Sequence, residues 1–486
     1  MFTFNKSKIF ILKIYHSIQS QFTSRPLISL FIFSIFLIKI FILCTHSPSP
    51  PAISLSPLVN KKCENGMIYV YELPTMFNID LITKCGNLDL DPWHWQCGVA
   101  TNSGYGTLAN ELVGIIPTSL VKTWHRTNQF SSEIIFYNKI MRHECRTMEP
   151  ESATVYYIPF YAGLAVGQYL FSESSNEARD FHGVKLIEWV QTQPYWQKSN
   201  GSDHFLVLGR ITWDFRRLTD PEQKWGSKFL NMQEMQNVTR LTIERAPADY
   251  HDIGIPYPTG FHPRSVEDIR TWQNFVRTYN RTSLFTFVGA AREDVGDDIR
   301  GLLLRTCQNE SMSSRGGSKY ASGTCRVVDC ALTPCANGSV EIMKSLLGSE
   351  FCLQPRGDSY TRRSVFDCMI AGSVPVLFWT RTMYDQYQLY LPDDPESYSV
   401  FIDHSDVSNG KKSIKEVLES YSTEEVRKLR ERVIEIIPKI VYSDSEDDDG
   451  EMEDAFEIAI DEVLRRVKEE KEQQLLESDD NVVHRN

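Results

Sequence analysis

One segment, residues 351–378, constrains the fold more than any other part of this chain. Its apolar run at residues 351–353 predicts a strand, the stretch at 355–360 a turn, residues 361–371 a helix, and residues 374–378 a second strand. A strand, a crossover helix and a second strand make a βαβ unit, whose two strands are parallel. The segment therefore predicts an α/β fold built on a parallel sheet.

Short apolar runs alternate with amphipathic segments along most of the chain, which is the pattern of helices packed on a parallel sheet. In the first half, residues 67–71, 154–158 and 204–208 are predicted strands, and residues 107–120 and 184–192 are predicted helices. The length of 486 residues exceeds one domain of roughly 100–200 residues. We therefore predict two α/β domains.

The second half restarts with a predicted strand at residues 284–288, followed by a turn at Gly289. Between the halves, residues 260–282 contain Gly and Pro and then a predicted connecting helix. The domain boundary is placed there, which gives α/β domains at residues 63–265 and 266–440.

Residues 27–44 form an almost uninterrupted apolar run of 18 residues, close to the roughly 20 that span a bilayer as a helix. Basic residues precede this run and favour a cytosolic N-terminus: Lys6, Lys8, Lys13 and Arg25. A cleaved signal peptide is disfavoured by the 26-residue leader and by the lack of a small-residue cleavage site. We predict a cytosolic tail at 1–26, a transmembrane signal-anchor at 27–44, a Pro- and Ser-rich stem at 45–62, and a lumenal body.

Cysteines and glycosylation sequons agree with a lumenal body. Ten cysteines follow the anchor, an even number that permits complete pairing: Cys63, Cys85, Cys97, Cys145, Cys307, Cys325, Cys330, Cys335, Cys352 and Cys368. Five sequons follow it as well: Asn200, Asn237, Asn280, Asn309 and Asn337. The group Cys325, Cys330 and Cys335 could alternatively bind a metal, but its spacing fits no zinc site, so disulfides are favoured.

The formal net charge of -12 argues against nucleic acid as a partner, because such binding needs Lys and Arg to neutralise phosphates. Much of the acidic excess lies at residues 444–454, and we interpret its first part, residues 444–449, as a solvated charge run rather than a divalent-ion site. Residues 455–476 carry apolar residues at helical spacing and predict a surface helix. Residues 441–486 are therefore assigned to an acidic, helical tail.

The turn that precedes the predicted helix at 361–371 is a candidate anion site, since backbone amides at a helix start face a bound anion. Two interpretations of its side chains remain open. In the first, Asp358 or Ser359 only caps the helix. Arg363 would then pair with Asp367, four residues later. In the second, Arg363 binds a diphosphate and Asp367 binds ribose hydroxyls.

Residues 350–378, EFCLQPRGDSYTRRSVFDCMIAGSVPVLF, resemble the donor-site signature of the exostosin family of glycosyltransferases. Further segments resemble the plant branch of that family, and specifically its xyloglucan galactosyltransferases: residues 68–78, 103–114, 155–166, 209–217 and 251–263. The resemblance covers most of residues 63–404 but neither the anchor nor the acidic tail.

The resemblance implies a GT-B-like architecture, in which two Rossmann-like domains face a cleft. The acceptor side would be residues 63–265 and the nucleotide-sugar side residues 266–440. It also implies an inverting transfer that usually requires no metal. Carried over position by position, it assigns donor binding to Gly289, Arg292, Gly357, Asp358, Ser359, Arg363 and Asp367. Asp367 stands where many relatives have Glu, which keeps the carboxylate but shortens its reach.

A general base must take the proton of the acceptor hydroxyl. Two candidates lie at the ends of apolar runs in the predicted acceptor domain, Asp214 and His204. Either could instead be structural, Asp214 as an ion-pair partner and His204 as the partner of an adjacent Asp. Acceptor sugars pack their C–H faces on aromatic rings, and the candidates for this contact are Trp93, Trp95, Tyr105, Tyr161 and Trp213.

The sequence therefore predicts a Golgi glycosyltransferase of single-pass type II topology. Its reaction would be transfer of galactose from UDP-galactose to xylosyl side chains of xyloglucan, with no cofactor. Alternatives within the family are galacturonate or arabinose as the transferred sugar, or mannan as the acceptor. A non-catalytic scaffold that partners an active Golgi transferase is a further alternative. Complexes with other Golgi glycosyltransferases are a separate expectation. A glycoside hydrolase is disfavoured, since hydrolysis needs no diphosphate-binding βαβ unit.

Overall fold

The computed structural model describes residues 63–83, 92–170, 172–218, 225–292, 299–313, 323–332, 335, 340–445 and 452–483. The predicted cytosolic tail, anchor and stem lie outside these residues. Within them, no helix combines the length and the apolar character that crossing a bilayer requires. Residues Lys62–Asn486 form one compact unit, so the predicted limits of the two domains stay a prediction.

The strands are, in chain order, β1 (Ile68–Val70), β2 (Thr107–Leu108), β3 (His125–Arg126), β4 (Arg146–Thr147), β5 (Val155–Tyr157), β6 (His204–Leu208), β7 (Thr239–Thr242), β8 (Asp252–Gly254), β9 (Ser283–Gly289), β10 (Cys325–Asp329), β11 (Ser349–Gln354), β12 (Val374–Leu377) and β13 (Val400–Phe401).

The α-helices are α1 (Ile79–Thr83), α2 (Ser132–Arg142), α3 (Ala162–Gly167), α4 (Asn176–Val190), α5 (Pro194–Ser199), α6 (Val266–Thr278), α7 (Arg300–Ser313), α8 (Val340–Leu347), α9 (Ser364–Ile370), α10 (His404–Ser408), α11 (Ile414–Glu419), α12 (Thr423–Ile436) and α13 (Ala455–Val483). A short 3-10 helix, Thr212–Phe215, follows β6.

Two parallel sheets form the framework of the described residues. The first has the strand order β4-β1-β5-β6-β7-β8, and every neighbouring pair in it is parallel. The second has the order β10-β9-β11-β12-β13 and is also parallel throughout. This arrangement confirms the predicted α/β fold with parallel sheets. Because the carboxyl ends of parallel strands meet at one edge, the loops after β6, β9 and β11 are the places to look for a site.

Most of the predicted elements are present. The βαβ unit is confirmed: β11 and β12 are parallel neighbours, with Phe351 opposite Val374, and α9 connects them. The strand predicted at residues 204–208 matches β6, whose five residues are all buried. The predicted boundary at residues 265/266 lies between the last strand of the first sheet and the first strand of the second, at the start of α6.

The helix predicted at residues 107–120 is wrong. The chain there forms β2 and two short 3-10 helices, Asn110–Leu112 and Thr118–Thr123. Gly114 has a φ of +84° and Pro117 precedes the second 3-10 helix. Either feature interrupts an α-helix, since Gly favours the left-handed region and Pro lacks the amide hydrogen.

One hydrophobic core is shared by the two halves of the chain. Trp272 of α6 is fully buried, and its ring lies 4.7 Å from that of Trp124 and 5.4 Å from that of Phe261. Its indole N–H donates to the carbonyl of Ile370 at the end of α9. The predicted connection between the halves is therefore part of the interior, and α6 joins residues of the first half to the helix of the βαβ unit.

The final helix is also part of this core, which corrects the predicted surface tail. α13 is amphipathic as predicted, but its apolar face is buried in the main core: Ala455, Phe456, Ala459, Ile460, Val463, Leu464 and Val467. The ring of Phe456 lies 5.2 Å from that of Phe136 in α2. The charged face carries surface pairs such as Arg465 with Glu469.

The predicted solvated run at residues 444–449 lies mostly outside the described residues, whereas Asp454, at the end of the acidic stretch, belongs to the interior. It is fully buried, it accepts hydrogen bonds from Ser443 and from the first amides of α13, and its carboxylate lies 3.0 Å from the Lys139 ammonium. Burial alone would raise the pKa of Asp454, but Lys139 and the Ser443 hydrogen bonds outweigh it and lower the pKa. Asp454 therefore ties the final helix to α2 as a buried ion pair.

Candidate functional site

A cavity of about 960 Å³ lies where the loops after the strands of the two sheets meet. This is large for a small-molecule site, for which roughly 300–1,000 Å³ is usual. The predicted site residues that line it are Asp214, Arg292, Gly357, Asp358, Ser359, Arg363 and Asp367. Further lining residues are Gln129, Phe130, Arg210, Trp213, Trp225, Tyr257, Arg300 and Arg362.

The turn between β11 and α9 forms one wall of the cavity. Gly357 lies in a close approach of two backbone segments, because a Cβ there would stand 2.0 Å from the Thr361 carbonyl oxygen. Helix α9 begins at Ser364, and no side chain caps its start. The interpretation of Asp358 or Ser359 as a helix cap is therefore wrong.

Asp358 instead holds two arginines together at the cavity wall. Its carboxylate accepts hydrogen bonds from Arg292 Nε at 3.1 Å and Nη2 at 3.2 Å. Arg300 Nη2 donates to the Gly357 carbonyl at 3.0 Å and to the Asp358 carboxylate at 3.2 Å. Arg300 is buried, while Arg292 and Asp358 are half exposed or more. The result is a cationic wall that an entering phosphate could reach.

Arg362 and Gly289 meet at the edge of this wall. The guanidinium of Arg362 donates to the carbonyl of Val288 at 2.8 Å. A Cβ on Gly289, the last residue of β9, would lie 3.3 Å from Arg362 Nη2 and 2.9 Å from the Phe287 ring. Gly289 does not line the cavity. Its lack of a side chain leaves room for the Arg362 guanidinium, so its link to the site is indirect.

Arg363 and Asp367 form the i,i+4 pair of the first interpretation, with Arg363 Nε 3.2 Å from an Asp367 oxygen. Arg363 also donates from Nη1 to the carbonyl of Thr127, at 2.6 Å, in the segment before α2. Burial raises the pKa of Asp367, against the opposing effect of Arg363. Both residues still line the cavity, so the pairing does not remove them from a donor site.

Glu244 contacts the turn between β11 and α9, residues 355–363, from the first sheet, and sequence reasoning missed it. We call this segment the donor turn, because the resemblance assigns donor binding to it. Glu244 lies two residues after β7, is fully buried, and accepts hydrogen bonds from the amides of Tyr360 and Thr361 at 2.9 and 3.1 Å. Burial raises the pKa of Glu244 to about 7, although hydrogen bonds from Thr361, Ser359 and Tyr360 oppose this shift. Glu244 thus positions the turn without lining the cavity.

Asp214 lines the cavity from the opposite side, in the 3-10 helix after β6. One of its oxygens accepts a hydrogen bond from Arg210 Nε at 2.7 Å, and the other accepts from the Trp225 indole at 2.8 Å. Its carboxyl group is buried. Asp214 is therefore an ion-pair partner, as the structural alternative held, and it also lines the cavity.

His204 lies away from the cavity, at the opposite end of β6. It is fully buried, with its Nε2 2.8 Å from the Tyr71 hydroxyl and its Nδ1 at the same distance from the Asp203 carboxylate. The rings of Tyr71 and Tyr156 stack on it. Burial lowers the pKa of His204, against the opposing effect of Asp203. This environment favours the structural alternative for His204, as the partner of the adjacent Asp203.

The aromatic residues predicted to contact the acceptor also divide into core residues and a residue that lines the cavity. Tyr105 and Tyr161 are only 1% and 2% exposed and belong to the core. Trp213 is 57% exposed and lines the cavity. The side chains of Trp93 and Trp95 lie outside the described part of the structure.

Disulfides are present where the sequence favoured them over a metal. The described pairs are Cys63–Cys145, Cys307–Cys325, Cys330–Cys335 and Cys352–Cys368. Cys330 and Cys335 line the cavity. In the described ranges, no group of three or more His, Cys, Asp or Glu side chains is placed to hold a metal ion. The expectation of a metal-independent reaction is untested by this finding.

Known proteins are similar to this chain over most of its length. The Exostosin GT47 domain matches residues 62–418. Xyloglucan galactosyltransferase XLT2 of Arabidopsis thaliana is 53% identical over 411 residues, which cover 85% of this chain and 77% of that protein. Two further Arabidopsis thaliana proteins are each 37% identical over 83% of this chain. They are xyloglucan galactosyltransferase MUR3, covered over 63% of its length, and xyloglucan-specific galacturonosyltransferase 1, covered over 58%.

Proposed function

Because this chain belongs to the exostosin GT47 family and is a glycosyltransferase, we propose that it transfers galactose from UDP-galactose to xylosyl side chains of xyloglucan. The observation that carries the proposal is the cavity itself. Its wall from the second half of the chain is cationic, with Arg292, Arg300, Arg362 and Arg363. The facing wall carries aromatic residues, which suit a neutral sugar.

The donor diphosphate would bind at the arginine wall. Arg292 and Arg300 both donate to the carboxylate of Asp358, which places two guanidinium groups side by side at the cavity. A diphosphate has more oxygen acceptors than a carboxylate and could accept from several guanidinium groups at once. Charge that develops on the leaving diphosphate in the transition state would be stabilised by the same groups.

The transfer itself would be a single in-line displacement with inversion. The acceptor hydroxyl oxygen forms a bond to the anomeric carbon, the bond from that carbon to the diphosphate oxygen breaks, and the UDP leaves with the electron pair. The hydroxyl proton passes to a base. Asp214 is the proposed base, since of the two predicted residues it alone lines the cavity. Its ion pair with Arg210 would orient the carboxylate during this step.

We further propose a GT-B-like arrangement, with the first sheet as the acceptor side and the second as the donor side. Two separate parallel sheets with the cavity between their loops support this assignment. A Golgi membrane location of type II topology is proposed on the apolar run at residues 27–44 and the five sequons. The disulfides of the described residues support an oxidising compartment.

Galacturonate is the main alternative to galactose, because a galacturonosyltransferase is among the relatives. A donor with an anionic sugar would need a cation on the acceptor side of the cavity. The Arg210 guanidinium lies on that side but donates to the Asp214 carboxylate at 2.7 Å. The cavity lining on that side is therefore neutral, one arginine against one aspartate, whereas the opposite wall has four arginines against two aspartates, and this difference favours a neutral sugar.

The proposal is tested by incubating the purified full chain in detergent with UDP-galactose, UDP-galacturonate or UDP-arabinose and xyloglucan oligosaccharides. Mass spectrometry of the oligosaccharides reports the sugar added. We expect galactosylated product from UDP-galactose. Product from another donor only would move the enzyme to a different branch of the family, and donor binding without transfer to xyloglucan or mannan would favour a scaffold.

Two variants assign the roles in that assay. Arg292→Ala removes a half-exposed guanidinium and should raise the donor KM about tenfold or more, since hydrogen bonds to charged groups contribute about 1.5–3 kcal/mol. Arg270→Ala, on the exposed face of α6, is the matched control and should leave the donor KM unchanged. Asp214→Asn should lower kcat while donor affinity stays near that of the wild type.

A further inference from the structure

Trp213 is a large apolar side chain held in water at the edge of the cavity. It is 57% exposed, although its neighbours Thr212, Asp214 and Phe215 are 4%, 1% and 1% exposed. Among the described residues, none hydrogen-bonds to its indole N–H and no aromatic ring stacks on it. An exposed indole that lines a cavity is a surface available to a ligand.

The backbone beneath Trp213 is fixed by its buried neighbours. Asp214 is bonded to Arg210 and Trp225 through its side chain, and its carbonyl accepts from the Ser227 amide at 2.8 Å. Gly226 has a φ of +68°, and a Cβ there would lie 2.5 Å from the Asp214 carbonyl oxygen. There is no room for a side chain at Gly226, and the hydrogen bond from Ser227 holds this segment against the 3-10 helix. The backbone that carries the indole therefore has little conformational entropy left to lose on binding.

Trp213 also lies on a defined side of the cavity. It follows β6 of the first sheet, whereas the arginine wall is built from residues 292–363 of the second half. The proposed base, Asp214, is its immediate neighbour in sequence. An acceptor glycan must reach the base, and a donor diphosphate must reach the arginines. Trp213 is therefore placed for the acceptor.

We propose that Trp213 is the stacking platform for the acceptor glycan, and that a neutral sugar ring of the xyloglucan chain packs its C–H face on the indole. This rests on the proposed function for the identity of the glycan. A half-exposed ring fits a polymer, because the chain continues out of the cavity into solvent on either side of the reacting residue. Stacking at this point would set which xylosyl residue reaches the anomeric carbon.

The test compares Trp213→Ala and Trp213→Phe in the purified full chain. With UDP-galactose saturating, Trp213→Ala should raise the acceptor KM about tenfold, and Trp213→Phe should restore most of the loss because it keeps an aromatic face. The donor KM, measured at saturating acceptor, should not change. Phe181→Ala removes a 45% exposed aromatic residue outside the cavity and is the matched control.

Affinity electrophoresis through gels that contain soluble xyloglucan gives a readout independent of catalysis. The wild type and the Phe181→Ala variant should be retarded, Trp213→Ala should migrate freely, and Trp213→Phe should lie between them. Equal retardation of the wild type and Trp213→Ala overturns the platform. A raised donor KM with an unchanged acceptor KM overturns it too, since the indole would then stack on the nucleotide base. Retardation that depends on Trp213 but comes without galactose transfer would contradict the proposed function alone.

Discussion

Glu244→Gln removes the titratable carboxyl group that accepts hydrogen bonds from the donor turn, while it keeps the size of the side chain. In the folded protein, burial raises the pKa of Glu244 from its ordinary value of 4.5 to about 7. Because the pKa is raised, the folded state binds more protons than the unfolded state when the pH lies between 4.5 and about 7. Stability from this group is therefore fully present below about pH 4.5 and is lost as the pH rises through 7.

The size of this effect follows from the shift. Between pH 5 and pH 8, the wild type should lose about 2.5 kcal/mol of stability through Glu244, since one pKa unit corresponds to about 1.36 kcal/mol. Glutamine does not titrate, so the variant lacks this loss. For a compact unit of this size, with roughly 2.1 cal/mol/K of unfolding entropy per residue, the difference corresponds to about 3 °C in Tm.

Differential scanning fluorimetry from pH 5 to pH 8 measures the difference directly. The Tm of Glu244→Gln minus that of the wild type should increase by about 3 °C across this range, whatever its value at pH 5. All other titrating groups are common to both proteins and cancel. A flat difference for Glu244→Gln would refute the buried, proton-binding carboxylate.

Two further predictions concern the donor turn and the final helix. Gly357→Ala should weaken donor binding about tenfold or more and lower the Tm, because its Cβ would collide with the Thr361 carbonyl oxygen 2.0 Å away. Isothermal titration with UDP measures the binding, and wild-type affinity would contradict the close approach. Truncation after Asp454 removes the buried face of α13 and should abolish the accumulation of folded protein, whereas truncation after Gln474 should be tolerated. Resistance to proteolysis reports folding, and equal resistance of the two truncated chains would show that the core does not need this helix.

The fold was predictable where local pattern and tertiary structure agree. The apolar runs that became β6 and β11 are buried throughout or nearly so, and such strands give continuous apolar sequence. The turn before α9 was found because Gly and Pro mark it locally. Residues 107–120 were mispredicted, because the spacing of their apolar side chains resembles a helix while Gly114 and Pro117 impose turns.

The site was predictable only where one segment contains it. Asp358, Arg363 and Asp367 lie in one motif and all line the cavity. Glu244 is brought to the same turn from a position 116 residues earlier, because it follows a strand of the other sheet.

Arg300 shows the same limit, whereas the two candidate bases do not. Arg300 was missed because an arginine in an amphipathic stretch looks like a surface residue until its partner at Gly357 is known. His204 is the first residue of β6, and the rule that sites follow the carboxyl ends of parallel strands already favours Asp214, which comes after that strand.

The position of α13 has a consequence for how the protein is made. Lys139 in α2 donates to the Ser443 carbonyl, 304 residues later, and Lys471 in α13 donates to the carbonyl of Thr154, 317 residues earlier. At a synthesis rate of roughly 5–20 residues per second, α2 is made about 15–60 s before the helix that covers it. During that time the apolar face of α2 that will contact Phe456 is exposed, so the newly made chain carries an uncovered part of its core until α13 has been made.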